Sequence, residues 1–372
     1  MSGEMYSGKE RFLTALDKKK PDRVPIFEIN IDDVSVVGVL KALNVHTGSL
    51  EASSDGYEKR KELLDLYCLL VEELDLDAAT SYPAIGLYRI DNKFGKDKYG
   101  ITYQYSSHGE PVVILGPVKE RKDISNLKLL EKIDDMDFAN TKYLISKFGD
   151  DKAQVLNILD PFKLSWQLRG GMQHLLVDYI TDSRIVHDLA EVTTEYSIAL
   201  MEKAKSVGVD VIALIGDLAS EKNTIFSPEQ FRQFLQPYYK KIVDAAHKIG
   251  FRIIKHSDGM LWPIMDEIVN TGFDGYHPIQ PDCMDIGEFR NRYNNKICIV
   301  GNIDCRELLC HQGEKEVDRV VEETIKIAGE DGAYIMCSSN SIHPDVKPEN
   351  YIAMVKATHR YGVYDLEINK KQ

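Results

Sequence analysis

The sequence predicts an α/β fold of the (β/α)8 TIM-barrel class. Three observations carry that prediction. Short β-branched, apolar runs alternate with longer segments at helical spacing; there are eight such runs; and most are followed by Gly, Pro or polar residues and then by a helix-like pattern. No internal repeat, low-complexity tract or flexible linker divides the chain, so residues 1–372 read as one decorated barrel domain.

The runs fall in order at 24–29, 78–81, 155–159, 211–215, 252–255, 275–277, 297–301 and 334–337. The stretch after the second run, 83–150, is longer than a barrel loop requires. Within it, Tyr99-Gly100-Ile101-Thr102-Tyr103-Gln104-Tyr105 and Pro111-Val112-Val113-Ile114-Leu115 predict a β-hairpin inserted after strand 2. In Ser227-Pro228-Glu229-Gln230-Phe231 a capping serine precedes a proline at the first helical position and early negative charge, which predicts a helix start. Over 316–328, Val317, Val320, Val321 and Ala328 recur at helical spacing, with charged residues mostly on the other faces, as in an outer barrel helix.

Composition narrows the function classes. Forty-six basic against 59 acidic residues give a net charge of −13, which opposes binding of nucleic acid or an anionic membrane through the overall field. No apolar run approaches the ~18 residues of a membrane span, and Met1-Ser2-Gly3-Glu4-Met5 has no signal-segment pattern, so a cytoplasmic location is expected. Six cysteines without a Cys-x-x-Cys pair predict reduced thiols rather than a disulfide framework or zinc ribbon.

In barrels of this class the working side chains come from the carboxyl ends of the strands and the loops just after them. That rule selects Glu28 and Asn30, Asp160, Asp217, His256 with Asp258, His277, Asn302 with Asp304, and Asn340 with His343. In Lys255-His256-Ser257-Asp258-Gly259 a His and an Asp two apart at a strand end can aim at one point, as half of a metal site. The alternative is a hydrogen-bonded strand-end histidine followed by an Asx turn. Asp217 can orient a substrate or a ligating imidazole, or pair with Lys222. His277 is held by the prolines of His277-Pro278-Ile279-Gln280-Pro281, in an orienting or a structural role.

Four stretches in one order resemble the uroporphyrinogen decarboxylase superfamily over nearly the whole chain. They are Lys9-Glu10-Arg11-Phe12-Leu13-Thr14-Ala15-Leu16 with Pro21-Asp22-Arg23-Val24-Pro25; Lys255 to Gly259; Gly301-Asn302-Ile303-Asp304; and Ser338-Ser339-Asn340-Ser341-Ile342-His343-Pro344 with Pro348-Glu349-Asn350. The decarboxylases of the superfamily carry an arginine-rich segment after the first strand. This chain has Phe27-Glu28-Ile29-Asn30-Ile31-Asp32-Asp33 instead, whose charge repels a polycarboxylate.

The resemblance therefore implies the corrinoid-dependent methyltransferase branch. Its thiol-methylating members bind zinc through His-x-Cys and a later Cys, and the matching positions look like His256, Asp258 and Asn340, without either thiolate. Oxygen ligands make a harder Lewis acid, better suited to an ether oxygen than a thiol. The chain looks closest to aryl-ether methyltransferases of anaerobic O-demethylase systems, whose Glu-x14-Glu-x20-His zinc pattern is matched by Glu307, Glu322 and His343, with His256 and Asp258 as a competing metal set. The expected reaction moves a methyl group from a small methoxylated aromatic, a phenyl methyl ether, to the cob(I)alamin of a corrinoid carrier protein. His256, Asp258, Asp217 and His277 would be catalytic, and Glu28, Asn30, Tyr82, Asp160, Asn302 and Asn340 would bind substrate. Zinc is the expected cofactor, and the corrinoid arrives on the partner because the chain lacks an Asp-x-His-x-x-Gly cobalt-ligating segment. A homodimer is among the expected assemblies. The alternatives are a uroporphyrinogen decarboxylase-like enzyme and a non-catalytic corrinoid- or tetrapyrrole-binding protein.

Overall fold

The structure is a computed structural model, and it describes residues 6–47, 57–106, 111–294 and 296–364. The reading of the first five residues lies outside them. Eleven strands are formed among the described residues: β1 (Ala78–Ser81), β2 (Tyr88–Arg89), β3 (Phe94–Lys96), β4 (Thr102–Tyr105), β5 (Pro111–Leu115), β6 (Ala153–Leu159), β7 (Val211–Ile215), β8 (Arg252–His256), β9 (Gly275–His277), β10 (Cys298–Val300) and β11 (Tyr334–Ile335). Seven make one parallel sheet in the order β1-β6-β7-β8-β9-β10-β11, so each strand lies beside the next strand of that sheet in chain order. Helices fill the crossovers, as parallel neighbours require. The sheet is curled in the manner of a barrel.

No regular strand forms at 24–29, which corrects the first of the eight runs. Pro25 has no N–H to donate to a ladder. The segment is nevertheless extended between the two edges of the sheet. Phe27 N donates to Met336 O and Met336 N to Pro25 O on the β11 side, while Asp77 N donates to Ile26 O on the β1 side. The parallel bridges Ile26 with Met336 and Ile31 with Ile342 mark the same path.

Side chains alternate along each strand, and the two faces build two cores. Val211, Ala213 and Ile215 point inward to join Phe27, Ile29, Ala153, Val155, Ile254, Val300 and Cys337 in an interior cluster. Ile212 and Leu214 face the surrounding helices in the larger cluster. The helix Gly8–Leu16, capped by Ser7, sends Phe12 and Leu16 into the interior cluster. Between β1 and β6 the chain builds a separate antiparallel sheet, β2-β3-β4-β5, with Tyr103 opposite Val113.

The helix expected after Ser227 runs Pro228–Phe234, with Ser227 Oγ accepting from Gln230 N in a capping box. The outer helix read over 316–328 is α-helical at Glu314–Thr324 and passes into a π turn at Ile325–Gly329, burying Val317, Val321 and Ala328. No described helix is long and apolar enough to cross a membrane.

Candidate metal centre

The ladder positions the site. Ile215 pairs with His256 across β7 and β8, and His256 pairs with His277 across β8 and β9. Asp217 follows Ile215 by two residues and Asp258 follows His256 by two, so both carboxylates are delivered to the same strand-end face. His256 Nε2 lies 3.5 Å from Asp217 Oδ1 and 3.7 Å from Asp258 Oδ1. The three ligand atoms lie within 4.8 Å of one another, and they are the one set of three such groups brought this close among the described residues.

Asp217 Oδ1 and Asp258 Oδ1 are both buried without a hydrogen-bond partner, whereas buried polar atoms are ordinarily satisfied. The outer oxygens are anchored, since Lys163 Nζ donates to Asp217 Oδ2 at 3.3 Å and Asn340 Nδ2 donates to Asp258 Oδ2. Burial pushes the Asp258 carboxyl up. At Asp217 burial acts the same way but is outweighed by His256, Lys163 and Lys255, which hold the carboxyl low. One nitrogen and two unpartnered carboxylate oxygens converging at this spacing are a candidate donor set for a divalent cation, and zinc accepts these ligand types.

A cleft of about 320 Å³ opens beside the centre. Ser220, Glu221, Asp258, Gln280, Arg306 and Asn340 are among its lining residues.

The remaining residues chosen from the sequence are distributed as follows. His277 is wholly buried against His256, with Nδ1 to Nδ1 at 2.7 Å. Glu28 is buried and accepts from Ser338 N at 3.2 Å and Ser338 Oγ at 2.6 Å, and burial pushes its carboxyl up to about 8. Asp160 has no exposure; Lys255 Nζ and Tyr239 OH donate to Oδ2 and Lys163 N to Oδ1, so both oxygens are taken by protein groups. Asn302 Nδ2 donates to Ile279 O and Asn30 Nδ2 to Asp32 Oδ1. Tyr82 is exposed at the end of β1.

Glu307, Glu322 and His343 are not brought together. Glu322 sits on the outer helix and pairs with Lys326 at 2.6 Å, Glu307 is exposed beside the short helix Leu308–His311, and His343 Nε2 is bonded to Cys305 O at 3.0 Å. An α-helix on the outside of the barrel points its polar face to solvent, so spacing along the chain does not become proximity here. Lys255 is part of the strand-end motif, and the sequence alone assigns it no role. The signal is a lysine directly after Ile253-Ile254 in the buried part of β8, a position that demands a buried counter-charge.

Fold and site together define a parallel α/β barrel-like sheet with a candidate metal site at its strand ends, and the chain belongs to the uroporphyrinogen decarboxylase (URO-D) family, whose model matches residues 7–361. Within the family its likeness is to the corrinoid methyltransferase branch. It is similar to methylcobamide:CoM methyltransferase MtbA of Methanosarcina acetivorans, 25% identical over 335 residues that cover 87% of this chain and 90% of the relative. The MtbA of Methanosarcina mazei is 23% identical, over 96% of this chain and 99% of its own. Uroporphyrinogen decarboxylase of Pseudoalteromonas atlantica is 22% identical, covering 69% of this chain and 73% of the relative. A solved methyltransferase from Methanosarcina mazei shares the fold with a TM-score of 0.71 at 20% identity, covering 96% of this chain and 99% of the other.

Proposed function

We propose that the chain is a zinc- and corrinoid-dependent methyltransferase, a single (β/α)8 barrel of the cytoplasm, that moves a methyl group from a methoxylated aromatic to a corrinoid held by a separate carrier protein. The observation that carries the reading is the convergence of His256 Nε2 with two orphaned carboxylate oxygens at the strand ends. Relatives that are methyltransferases over nearly their full length support the reaction class.

Breaking a phenyl methyl ether leaves a phenolate, and a phenol has a pKa of about 10, so the developing charge on the ether oxygen must be met. Bound zinc would supply Lewis acidity at that oxygen. The chain's own groups hold the site: Asn340 fixes Asp258, Lys163 fixes Asp217, and Ser220, Gln280 and Asn340 give the neighbouring cleft polar walls. Tyr82, exposed at the end of β1, is available to flank an aromatic ring.

A second reading is methyl transfer from a corrinoid to a thiol. It is favoured by the two MtbA relatives and opposed by the oxygen-rich ligand set, since soft sulfur ligands suit thiol activation better. Metal content of the wild type and of the His256→Ala and Asp217→Ala variants tests the centre. Assays with a methoxyarene plus reduced corrinoid carrier, and with a methylated carrier plus a thiol, separate the two directions. About one zinc per chain, lost in both variants together with demethylation, is expected. A protein without metal and without either transfer would leave decarboxylation or a binding role.

A further inference from the structure

His256 Nδ1 and His277 Nδ1 lie 2.7 Å apart, with the rings stacked at a centroid distance of 4.9 Å. Two imidazole nitrogens at that distance share one hydrogen, which one donates and the other accepts. The far nitrogen of His277 decides the direction. Its Nε2 is 3.1 Å from Ser338 O, and a carbonyl only accepts, so that nitrogen carries hydrogen. Cys337 Sγ, 3.2 Å from the same nitrogen, has Glu28 Oε2 at 3.5 Å to receive its own hydrogen. His277 is fully buried among a carbonyl, a thiol and an imidazole, so a second proton on it would be an uncompensated interior charge. His277 Nδ1 therefore accepts, and His256 Nδ1 donates.

We propose that His277 is a positioning residue, whose Nδ1 fixes a hydrogen on His256 Nδ1 and so leaves His256 Nε2 as the nitrogen offered to the site between Asp217 and Asp258. The geometry is built into the sheet, because β8 and β9 pair His256 with His277 and a parallel bridge from Ile303 holds Ser338. The chain Ser338 carbonyl, His277, His256 is a metal-ligand support made without a carboxylate, the more usual partner of a ligating imidazole. Its consequence for metal rests on the centre proposed above; the direction of the hydrogen bond does not.

The test uses the full-length protein with 15N-labelled histidine, metal-free and zinc-loaded, and reads the protonation of each ring nitrogen by NMR. Cobalt(II) titration followed by absorption gives metal affinity for the wild type, His277→Gln and His277→Leu. The expected result is hydrogen on His256 Nδ1 in both wild-type samples. Gln keeps an acceptor and a donor and should hold affinity near the wild type, whereas Leu should lose about 10–100-fold. Hydrogen on His256 Nε2 alone, or unchanged affinity in His277→Leu, overturns the proposal. Should His277→Leu fail to fold, the wild-type spectrum decides. A wild type with hydrogen on His256 Nδ1 but no cobalt affinity supports the positioning role and removes the metal reading.

Discussion

Lys255 Nζ lies 2.9 Å from Asp160 Oδ2, and neither side chain has any exposure. The same ammonium donates to Gly216 O and His256 O, each at 2.7 Å, so one buried cation ties together the strand ends that carry Asp217 and His256. Removing one partner of such a pair leaves the other charge uncompensated, at a cost of about 3–5 kcal/mol. Lys255→Met should therefore lower stability by that amount in urea denaturation. The double variant with Asp160→Asn should lose less than the single. A Lys255→Met protein within about 1 kcal/mol of the wild type would show that the pair is not the anchor described.

Glu28 gives a pH signature. Its folded carboxyl is raised to about 8 from 4.5 because it is buried, so the favourable contribution is fully present below 4.5 and is lost as pH rises through about 8. At about 1.4 kcal/mol per unit, ionising it costs the fold on the order of 5 kcal/mol. Glu28→Gln removes the titration while keeping the shape, so its stability relative to the wild type should improve between pH 6 and pH 9. A difference between the two proteins that stays flat over that window would contradict the assignment.

Asn340 is expected to act on the metal through Asp258 Oδ2, to which its amide donates. Asn340→Ala should keep the fold and weaken zinc or cobalt affinity by about 10–100-fold, the usual range for a group that orients a ligand. Unchanged affinity by competition with a chelator would count against that role.

Glu322 serves as the opposite case. Its carboxylate is paired with Lys326 on an outer helix, where a solvent-screened i,i+4 pair contributes little. Glu322→Ala should therefore leave metal content unchanged and keep the urea midpoint close to that of the wild type. Loss of bound zinc in this variant would revive the Glu307, Glu322 and His343 set.

These contrasts mark what was legible in the sequence. The two-residue period of a strand puts His256 and Asp258 on one face, a local property that the sequence alone displays. Asp217 was singled out as an orienting group, and its convergence with them depends on the parallel register of β7 with β8, which no single segment states. The Glu307, Glu322 and His343 spacing misled for the converse reason: a fixed distance in sequence says nothing about which side of a helix faces the barrel. The first run predicted a strand from its apolar residues, and Pro25 together with short bridges made it an extended edge-joining segment instead.

Gly216 joins the stability argument to the proposed metal site. A Cβ at this position would fall 2.1 Å from Asp160 Cγ and Oδ2 and 2.2 Å from Oδ1. The carboxylate cannot swing away cheaply, because Lys255, Tyr239 and Lys163 N already hold its oxygens. Accommodating a methyl group must therefore shift the backbone before Asp217 or break the Lys255 pair. Gly216→Ala should cost about 3 kcal/mol or more in urea denaturation. Because Asp217 is the next residue, the folded fraction should also bind cobalt(II) more weakly than the wild type. A Gly216→Ala protein with wild-type stability and affinity would mean that the Asp160 carboxylate does not occupy the space against this glycine.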